Sequence, residues 1–270
     1  MPHTGRLLAW AGAVVGLVIL IVPTLIVIPI SFGGHASFHF PPEQWSTRWY
    51  ERLVEEPRWR VAMLTSLAVA LLSALVAAVV GTAAALGLRR IRRLAVGGLV
   101  RGTLLVPLIV PEIVVAVGLY SVFLDLGLVG TWPGFVLAHC CLGVPLVVTT
   151  VSASLTSFDS NLERAAASLG AGPWSTVRKV TLPVVMPGLM SGALFAFILS
   201  LDNLVLSLFL QTPDLSTLPV LMWSSMTRDT DPTIAAAATV ILLVTTVVLV
   251  LAVVTVGRRT ALMEKERGLL

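Results

Sequence analysis

Charged residues are scarce in this chain. Asp, Glu, Lys and Arg make up 12% of its 270 residues, whereas 57% of the residues are hydrophobic. A soluble domain usually carries about 25% charged residues. A chain with so little charge cannot cover its surface with polar side chains, which excludes an ordinary soluble domain. We therefore predict that the protein uses lipid as its solvent.

Motifs for nucleotide binding, catalysis and redox chemistry are missing as well. The sequence has no G-x-x-x-x-G-K-[ST] stretch to cradle ATP phosphates. It also lacks G-x-S-x-G and any His/Glu cluster with metal-ligand spacing, either of which would indicate a membrane-embedded enzyme. Its two cysteines, Cys140 and Cys141, are adjacent, and neighbouring residues of a helix point to different faces. We interpret them as small core residues rather than as a redox or metal site.

The sequence does contain long uncharged windows. Crossing the roughly 30 Å hydrocarbon core takes a helix of about 20 residues. Backbone groups in lipid must be satisfied within their segment, and continuous apolar runs differ from the alternating strands of a membrane barrel. We predict an all-α membrane protein, a single domain over 1–270, with six transmembrane helices at about 7–30, 61–88, 102–124, 132–155, 184–210 and 233–257.

A cleaved signal peptide is the alternative interpretation of the first window. The apolar stretch of that window is far longer than the roughly 7–15 residues of such a peptide. Its N-terminal flank carries only Arg6 as a basic residue. We therefore favour a membrane span there, and internal spans would remain even after cleavage.

The basic residues lie mostly on one side of the predicted spans. With both termini in the cytoplasm, 13 of the 18 Lys and Arg residues fall on the cytoplasmic side and 5 fall outside. Lys and Arg favour cytoplasmic loops, so we predict that both termini and the inner loops at about 89–101 and 156–183 are cytoplasmic. Anionic lipid headgroups explain basic residues beside spans, and we expect no nucleic-acid partner. The residues on the outer side are Arg48, Arg52, Arg58, Arg60 and Arg228.

The outer loops are predicted at about 31–60, 125–131 and 211–232. The first of them is rich in aromatic residues. Aromatic side chains at that depth are usually interfacial anchors, which is our interpretation here, with substrate binding as the less favoured alternative. These residues are Trp45, Trp49, Tyr50 and Trp59.

The second inner loop has the sequence pattern of two short helices. Ser160 and Glu163 form a capping-box pattern at the start of the first helix. Gly170 lies where a helix commonly ends in a left-handed turn, and Pro173 can open a second helix. Pro183 is expected to close that helix before the fifth span. The pattern predicts an elbow on the membrane surface, which either docks on a partner or is only an amphipathic hairpin.

The segment 158–183 resembles the cytoplasmic coupling motif of bacterial ABC importer permeases. That motif reads Glu-Ala-Ala, three residues, Gly, nine residues, Ile, one residue, Leu-Pro, and the spacing matches throughout. Arg164 stands where the family has Glu, while Glu163 lies one residue out of register, and Val replaces Ile. The residues at the motif positions are Arg164, Ala165, Ala166, Gly170, Val180, Leu182 and Pro183.

The resemblance extends over almost the whole chain and is strongest to permeases of the spermidine/putrescine type, in particular the C subunit. Permeases for ferric iron, opines, phosphonates and thiamine look similar, so the resemblance indicates the substrate less specifically than it indicates the family. The stretches that carry the resemblance are Phe40-Pro41-Pro42, Arg48-Trp49-Tyr50, Pro111-Glu112-Ile113-Val114, Ala138-His139, Leu199-Ser200-Leu201-Asp202-Asn203 and Leu218-Pro219-Val220.

The resemblance implies an importer-permease (MetI-like) fold in the bacterial inner membrane and a non-catalytic subunit. Its expected partners are an ABC ATPase dimer that docks on the elbow, a second permease that is identical or paralogous, and an extracytoplasmic solute-binding protein. ATP and Mg would bind the ATPase, with no cofactor in this chain. The alternatives are the same role for another solute and, in a different class, an ion-coupled secondary transporter with Asp202 as its coupling site.

Three ionisable residues fall inside the predicted spans: Glu112, His139 and Asp202. A charged Asp at a helix centre costs about 2.5–3.5 kcal/mol on insertion scales. One interpretation is a cation pathway formed by Asp202, Glu112 and Asn203; the other is that these groups join helices by hydrogen bonds. Asn203 stands where polyamine relatives carry a second acid. For His139 we favour the packing role.

Two small-xxx-small pairs predict close contacts between helices. The first pair, Gly12 and Gly16, lies in the first window. The second pair, Gly188 and Gly192, lies in the fifth.

Overall fold

A computed structural model of the chain is almost entirely helical over the part that it describes. That part covers residues 3–35, 38–91, 94–228 and 231–267, with side chains described between 10 and 254 except at 11, 20 and 94. The predicted all-α class is confirmed. The helices are α1 (His3–Ser31), α2 (Arg48–Glu55), α3 (Pro57–Arg90), α4 (Leu94–Ile109), α5 (Glu112–Asp125), α6 (Trp132–Thr156), α7 (Asn161–Ser168), α8 (Pro173–Thr176), α9 (Leu182–Leu201), α10 (Val205–Leu210), α11 (Leu218–Arg228) and α12 (Thr233–Arg267).

Five helical segments of the described chain are long and apolar enough to cross a membrane. Four match predicted windows closely, and the fifth predicted window is displaced towards the N-terminus, because its helix runs from Pro173 to Leu201 rather than to residue 210. The segments are Gly12–Ser31, Pro57–Arg90, Trp132–Thr156, Pro173–Leu201 and Thr233–Val254.

The third predicted window is a broken helix. The segments Ala95–Ile109 and Glu112–Asp125 meet at an angle of 102°, and they make a sixth span only if the bent pair counts as one. The break falls at Val110 and Pro111. Proline has no backbone N–H, and it disfavours the helical conformation in the residue before it. These two effects explain why the apolar run does not give one straight helix.

Several predicted loops are partly helical. The first outer loop contains α2 and the start of α3, and the third contains α11. The inner loop predicted at 89–101 shrinks to the few residues between α3 and α4, of which Arg92 and Arg93 lie outside the described residues. Helix α12 continues to Arg267, and the side chains of the tail that we expected to be exposed are outside the described part.

The chain divides into two compact units, each described here by itself. The larger comprises Met63–Val220 and Thr245–Leu270. At its centre α6 packs against α9. A Cβ atom added at Gly188 would lie 2.2 Å from Ser154 Oγ, and one at Gly192 would lie 2.3 Å from Thr150 Oγ1. The close contact predicted for this glycine pair is thus present, whereas an added Cβ at Gly12 or Gly16 meets nothing within 4 Å.

The smaller unit comprises Met1–Ala62 and Leu221–Val244. Trp49 and Trp59 are buried within it, at 5% and 0% exposure, so they are core residues and not the interfacial anchors that we expected. The Trp49 indole N–H donates to the Gly33 carbonyl at 2.7 Å. This bond satisfies the polar end of the ring inside the unit.

A buried carboxylate pairs with two arginines in the smaller unit. Asp231 is 6% exposed, and its Oδ2 lies 3.6 Å from the guanidinium groups of Arg52 and Arg58. Its Oδ1 accepts from the Thr233 backbone N–H at 3.0 Å, at the start of α12. A hydrogen bond to Glu56 raises the pKa of the Arg52 guanidinium further, so this group stays charged. Paired cations are what a buried carboxylate requires.

Candidate coupling elbow and membrane pathway

Helix α7 begins without the predicted capping box. Ser160 occupies the N-cap position with helical backbone angles, and its side chain makes no capping bond. Asp159 takes that role, because its Oδ1 accepts from the Asn161 backbone N–H at 2.8 Å. The Glu163 side chain is therefore free to bond elsewhere, and the expected reciprocal pair with Ser160 is wrong.

Helix α7 ends as the glycine predicted. Gly170 has φ +84°, in the left-handed region. Its N–H donates to the Ala167 carbonyl and the Ala171 N–H donates to the Ala166 carbonyl, both at 3.0 Å. These two bonds form a Schellman motif, which satisfies carbonyls that the helix end would otherwise leave unpaired. The turn redirects the chain towards α8.

The second short helix is continuous with the membrane span that follows. Pro173 opens it as predicted, but Pro183 does not close it, because α8 passes through the π-helical segment Val177–Thr181 directly into α9. The Leu182 N–H donates to the Val177 carbonyl, a π-type bond. A proline within a helix removes one bond to the preceding turn, and a π-turn is one local rearrangement that accommodates it. The elbow and the span thus form a single helical run.

Glu163 joins the elbow to its neighbours. Its Oε1 lies 3.0 Å from Arg89 Nη1 at the end of α3 and accepts from Thr181 Oγ1 at 2.7 Å. The Arg89 guanidinium also lies over the Phe158 ring, 4.6 Å from its centroid. One carboxylate therefore joins α7, on which it lies, to two other parts of the larger unit: the π-helical segment and α3.

The remaining motif residues lie on or near the surface of the elbow. Arg164, Ala165, Gly170 and Pro183 are exposed, and Arg164 Nη1 approaches Asn161 Oδ1 within its own helix at 3.4 Å. Two large apolar residues project from the same region without cover: Leu169 is 88% exposed and Trp174 is 77% exposed. The half-buried motif residues are Ala166, Val180 and Leu182.

Two of the three pathway candidates are in direct contact. Asn203 Nδ2 donates to Glu112 Oε1, and Asn203 Oδ1 accepts from the Leu206 backbone N–H at 3.0 Å. Asn203 is 6% exposed, and Glu112 is half-buried at the start of α5. Both polar groups of the amide are therefore bonded within the protein: its nitrogen donates to the acid, and its oxygen accepts at the first turn of α10.

Asp202 does not lie midway along a span. Helix α9 ends at Leu201, Asp202 is its C-cap residue, and α10 begins only at Val205. Its side chain is exposed in this chain. The helix ends at this polar stretch, whereas the apolar content of the window predicted one continuous span. The carboxylate therefore stands at a helix break, beside the C-terminal carbonyls of α9.

His139 bridges the same break from α6. Its Nδ1 lies 2.6 Å from Ser200 Oγ on α9, and its Nε2 lies 3.3 Å from Ser207 Oγ on α10. A neutral imidazole has one donor and one acceptor nitrogen, so one serine donates to the ring and the other accepts from it. The ring is 3% exposed, and these contacts agree with the packing role that we favoured.

Most of the chain matches a known protein family. The pattern of the family described as "Binding-protein-dependent transport system inner membrane component" matches residues 77–261. This chain belongs to that family. The permease family resemblance inferred from the coupling motif is thereby confirmed, and the matched residues include the elbow and both helix breaks.

Two relatives of this permease cover most of its length. The putrescine transport system permease protein PotI of Escherichia coli (strain K12) is 34% identical over 227 residues, which is 82% of this chain and 80% of that protein. The spermidine/putrescine transport system permease protein PotC of the same strain is 33% identical over 233 residues, or 86% of this chain and 87% of that protein.

A solved structure shows the permease fold. The crystal structure of a bacterial ABC transporter involved in the import of the acidic polysaccharide alginate contains a chain that matches with a TM-score of 0.68. The match covers 94% of this permease and 98% of that chain, at 14% identity. The predicted importer-permease fold is confirmed.

Sequence reasoning missed the contacts of Glu163 and of His139. The glutamate had a local partner in the capping-box pattern, and nothing in the sequence connects it to Arg89, which lies 74 positions away. The pairing of Glu112 with Asn203 was also missed, although both had been singled out as polar residues in apolar windows.

Proposed function

We propose that this permease is the membrane subunit of an ABC importer for a polyamine such as spermidine or putrescine. It would work with an ATPase dimer, a second permease and an extracytoplasmic solute-binding protein. The observation that carries the proposal is the elbow, where the coupling-motif spacing coincides with a helix, a left-handed glycine and a second helix that continues into a span.

The geometry of the elbow suits a coupling element. The exposed Leu169 and Trp174 offer an apolar surface that a partner groove would remove from water. Burying such side chains favours association by about 1.5–3 kcal/mol each. Because α8 runs without a break into α9, a push on the elbow moves a membrane span as one body. Docking of an ATPase here would therefore be transmitted to the pathway.

The helix breaks are the proposed place of substrate passage. Discontinuous helices in transporters expose backbone groups and helix ends to the substrate. Here the exposed Asp202 carboxylate stands at the C-terminal end of α9, where the helix dipole is negative. Both features favour a cation. Asn203 lies in the same gap and donates to Glu112 at the other break, so the proposed pathway contains two acids and one amide. Another solute, such as ferric iron, an opine, a phosphonate or thiamine, remains the alternative.

The orientation is part of the proposal. The excess of Lys and Arg on one side favours a cytoplasmic position for the elbow and both termini. An ATPase that uses cytoplasmic ATP and Mg must dock on that side. We propose that both ligands bind the ATPase and that this chain holds no cofactor.

Co-purification with uptake measurements tests the proposed function. The full chain, tagged and expressed with its own operon, is expected to retain an ATPase in stoichiometric amount. Reconstituted vesicles should then take up radiolabelled putrescine or spermidine in an ATP-dependent manner. Uptake driven by an ion gradient without any ATPase would instead support a secondary transporter. An ATPase complex that transports only a neutral or anionic solute would overturn the polyamine assignment alone.

A further inference from the structure

A groove of about 430 Å³ opens in the larger unit where the ends of three helices meet. The last turns of α3 and α6 form two of its walls, and the first turns of α4 form the third. Both apolar and basic side chains face it. The lining residues that matter here are Leu88, Arg89, Gly98, Arg101, Ser152 and Leu155.

The groove is positively charged. Arg101 is exposed and makes no ion pair within the part of the chain that the structure describes. Arg89 is shared, since its Nη1 holds Glu163. None of the described lining residues is acidic. An anion in the groove would therefore meet one guanidinium without an ion pair and a second that is already paired with Glu163.

The apolar part of the lining distinguishes the groove from a simple phosphate site. Leu88 and Leu155 are in the last turns of membrane spans, next to the two arginines. A ligand that satisfies the whole surface must carry a negative headgroup and a hydrocarbon chain. A phospholipid has this combination, and basic pockets between spans on the cytoplasmic side are known to take anionic headgroups.

We propose that this groove binds an anionic phospholipid of the inner leaflet. Arg101 is the principal ligand of the lipid phosphate, and Ser152 lies within the same lining as a hydroxyl donor. Leu88 and Leu155 contact the first part of an acyl chain. Because Arg89 also holds Glu163 on the elbow, the bound headgroup lies next to the contact that fixes the elbow.

Two variants of the groove test the proposal in different ways. Arg101→Gln removes the free guanidinium. Gly98→Leu fills the groove and leaves its charge unchanged; a Cβ added at Gly98 meets nothing within 4 Å, so the backbone tolerates it. The matched control is Arg90→Gln. Arg90 is also at the end of α3, but it lines a separate groove beside Trp174.

The experiment measures lipid retained by the full chain. The protein is placed in nanodiscs containing phosphatidylglycerol and phosphatidylcholine in equal amounts, and native mass spectrometry counts the lipids that stay bound. We expect phosphatidylglycerol to be preferred, and Arg101→Gln and Gly98→Leu each to lower its retention about fivefold. Arg90→Gln should leave it unchanged. Inorganic phosphate added at millimolar concentration should not displace the lipid.

Several results would overturn the proposal. Equal retention in the wild-type chain and both variants would show that the groove does not select the lipid. Equal loss in Arg90→Gln would show a general charge effect at this membrane face. Displacement by inorganic phosphate would identify a free phosphate site. Loss of co-purifying protein in Gly98→Leu, with lipid retention unchanged, would identify the groove as a protein interface.

Discussion

Asn203 donates a side-chain hydrogen bond to Glu112 and so joins two helix breaks that lie far apart in the sequence. Glu112 starts α5 directly after the 102° bend. Asn203 lies in the gap between α9 and α10. Helix α10 packs against α5. Both residues thus stand where the backbone loses regular helical hydrogen bonds. This contact fixes the position of one break relative to the other.

We predict that the contact matters through hydrogen bonding, not charge. Glu112→Gln keeps an oxygen that accepts from Asn203, so the thermal stability of the purified protein should change little. Glu112→Ala leaves the buried Asn203 amide unpaired, which should cost about 1–3 kcal/mol. Thermal unfolding of both variants in detergent measures this. Equal unfolding temperatures for Glu112→Gln and Glu112→Ala would contradict this prediction.

Gly170 should be irreplaceable by a branched residue. At φ +84° a valine is strained by about 1 kcal/mol or more, and the second helix of the elbow would be misdirected. Gly170→Val should insert normally but lose ATP-dependent uptake and ATPase co-purification. The matched control is Gly172→Val, because Gly172 has φ −69° and open space around its Cβ position. Normal coupling in Gly170→Val would show that the elbow is not the coupling element.

The ion pair of Glu163 should restrain the elbow without adding much to global stability. Both partners are partly exposed, and such pairs contribute about 0–1 kcal/mol. We expect Glu163→Gln to leave the unfolding temperature near normal and to speed amide hydrogen exchange in α7 about fivefold, the upper limit of that energy. Arg178→Gln removes an exposed neighbouring charge and serves as the control. Unchanged exchange in Glu163→Gln would mean that the elbow is held by other contacts.

Asp202 should contribute to cation passage. Asp202→Asn keeps the shape of the side chain and one acceptor oxygen but removes its charge. Assembly should survive, while uptake of putrescine or spermidine should fall at least about tenfold, equivalent to about 1.4 kcal/mol. Asp125→Asn, an exposed aspartate at the end of α5, should transport normally. Near-normal uptake in Asp202→Asn would remove the residue from the pathway, and loss of the assembled complex would indicate a structural role.

An impermeant thiol reagent should reach the elbow only from the cytoplasm. Ser160 is exposed, so a single cysteine there, in a background without Cys140 and Cys141, should react with an impermeant thiol reagent only after the cells are opened. A cysteine at Thr47, also exposed and predicted outside, should react in intact cells. Labelling of Ser160→Cys in intact cells would reverse the proposed topology.

The sequence by itself determined the class of protein and the outline of the elbow. Long uncharged runs require helices in lipid, because the backbone of each run must satisfy its own hydrogen bonds. The turn at Gly170 was also predictable, because the left-handed conformation is a local preference of glycine. The motif spacing around it identified the family. Each of these signals is contained in a short stretch of chain.

Only the tertiary structure decided how the polar residues are used. Glu163 could cap its own helix or bond to Arg89, and the fold brings Arg89 within 3.0 Å. Glu112 and Asn203 are 91 positions apart, and no local preference records that they meet. Proline and polar residues disfavour helix at both breaks, but the bend of 102° and the bond from Asn203 to Glu112 are properties of the folded chain. Contacts between distant segments depend on packing, which the composition of a window does not contain.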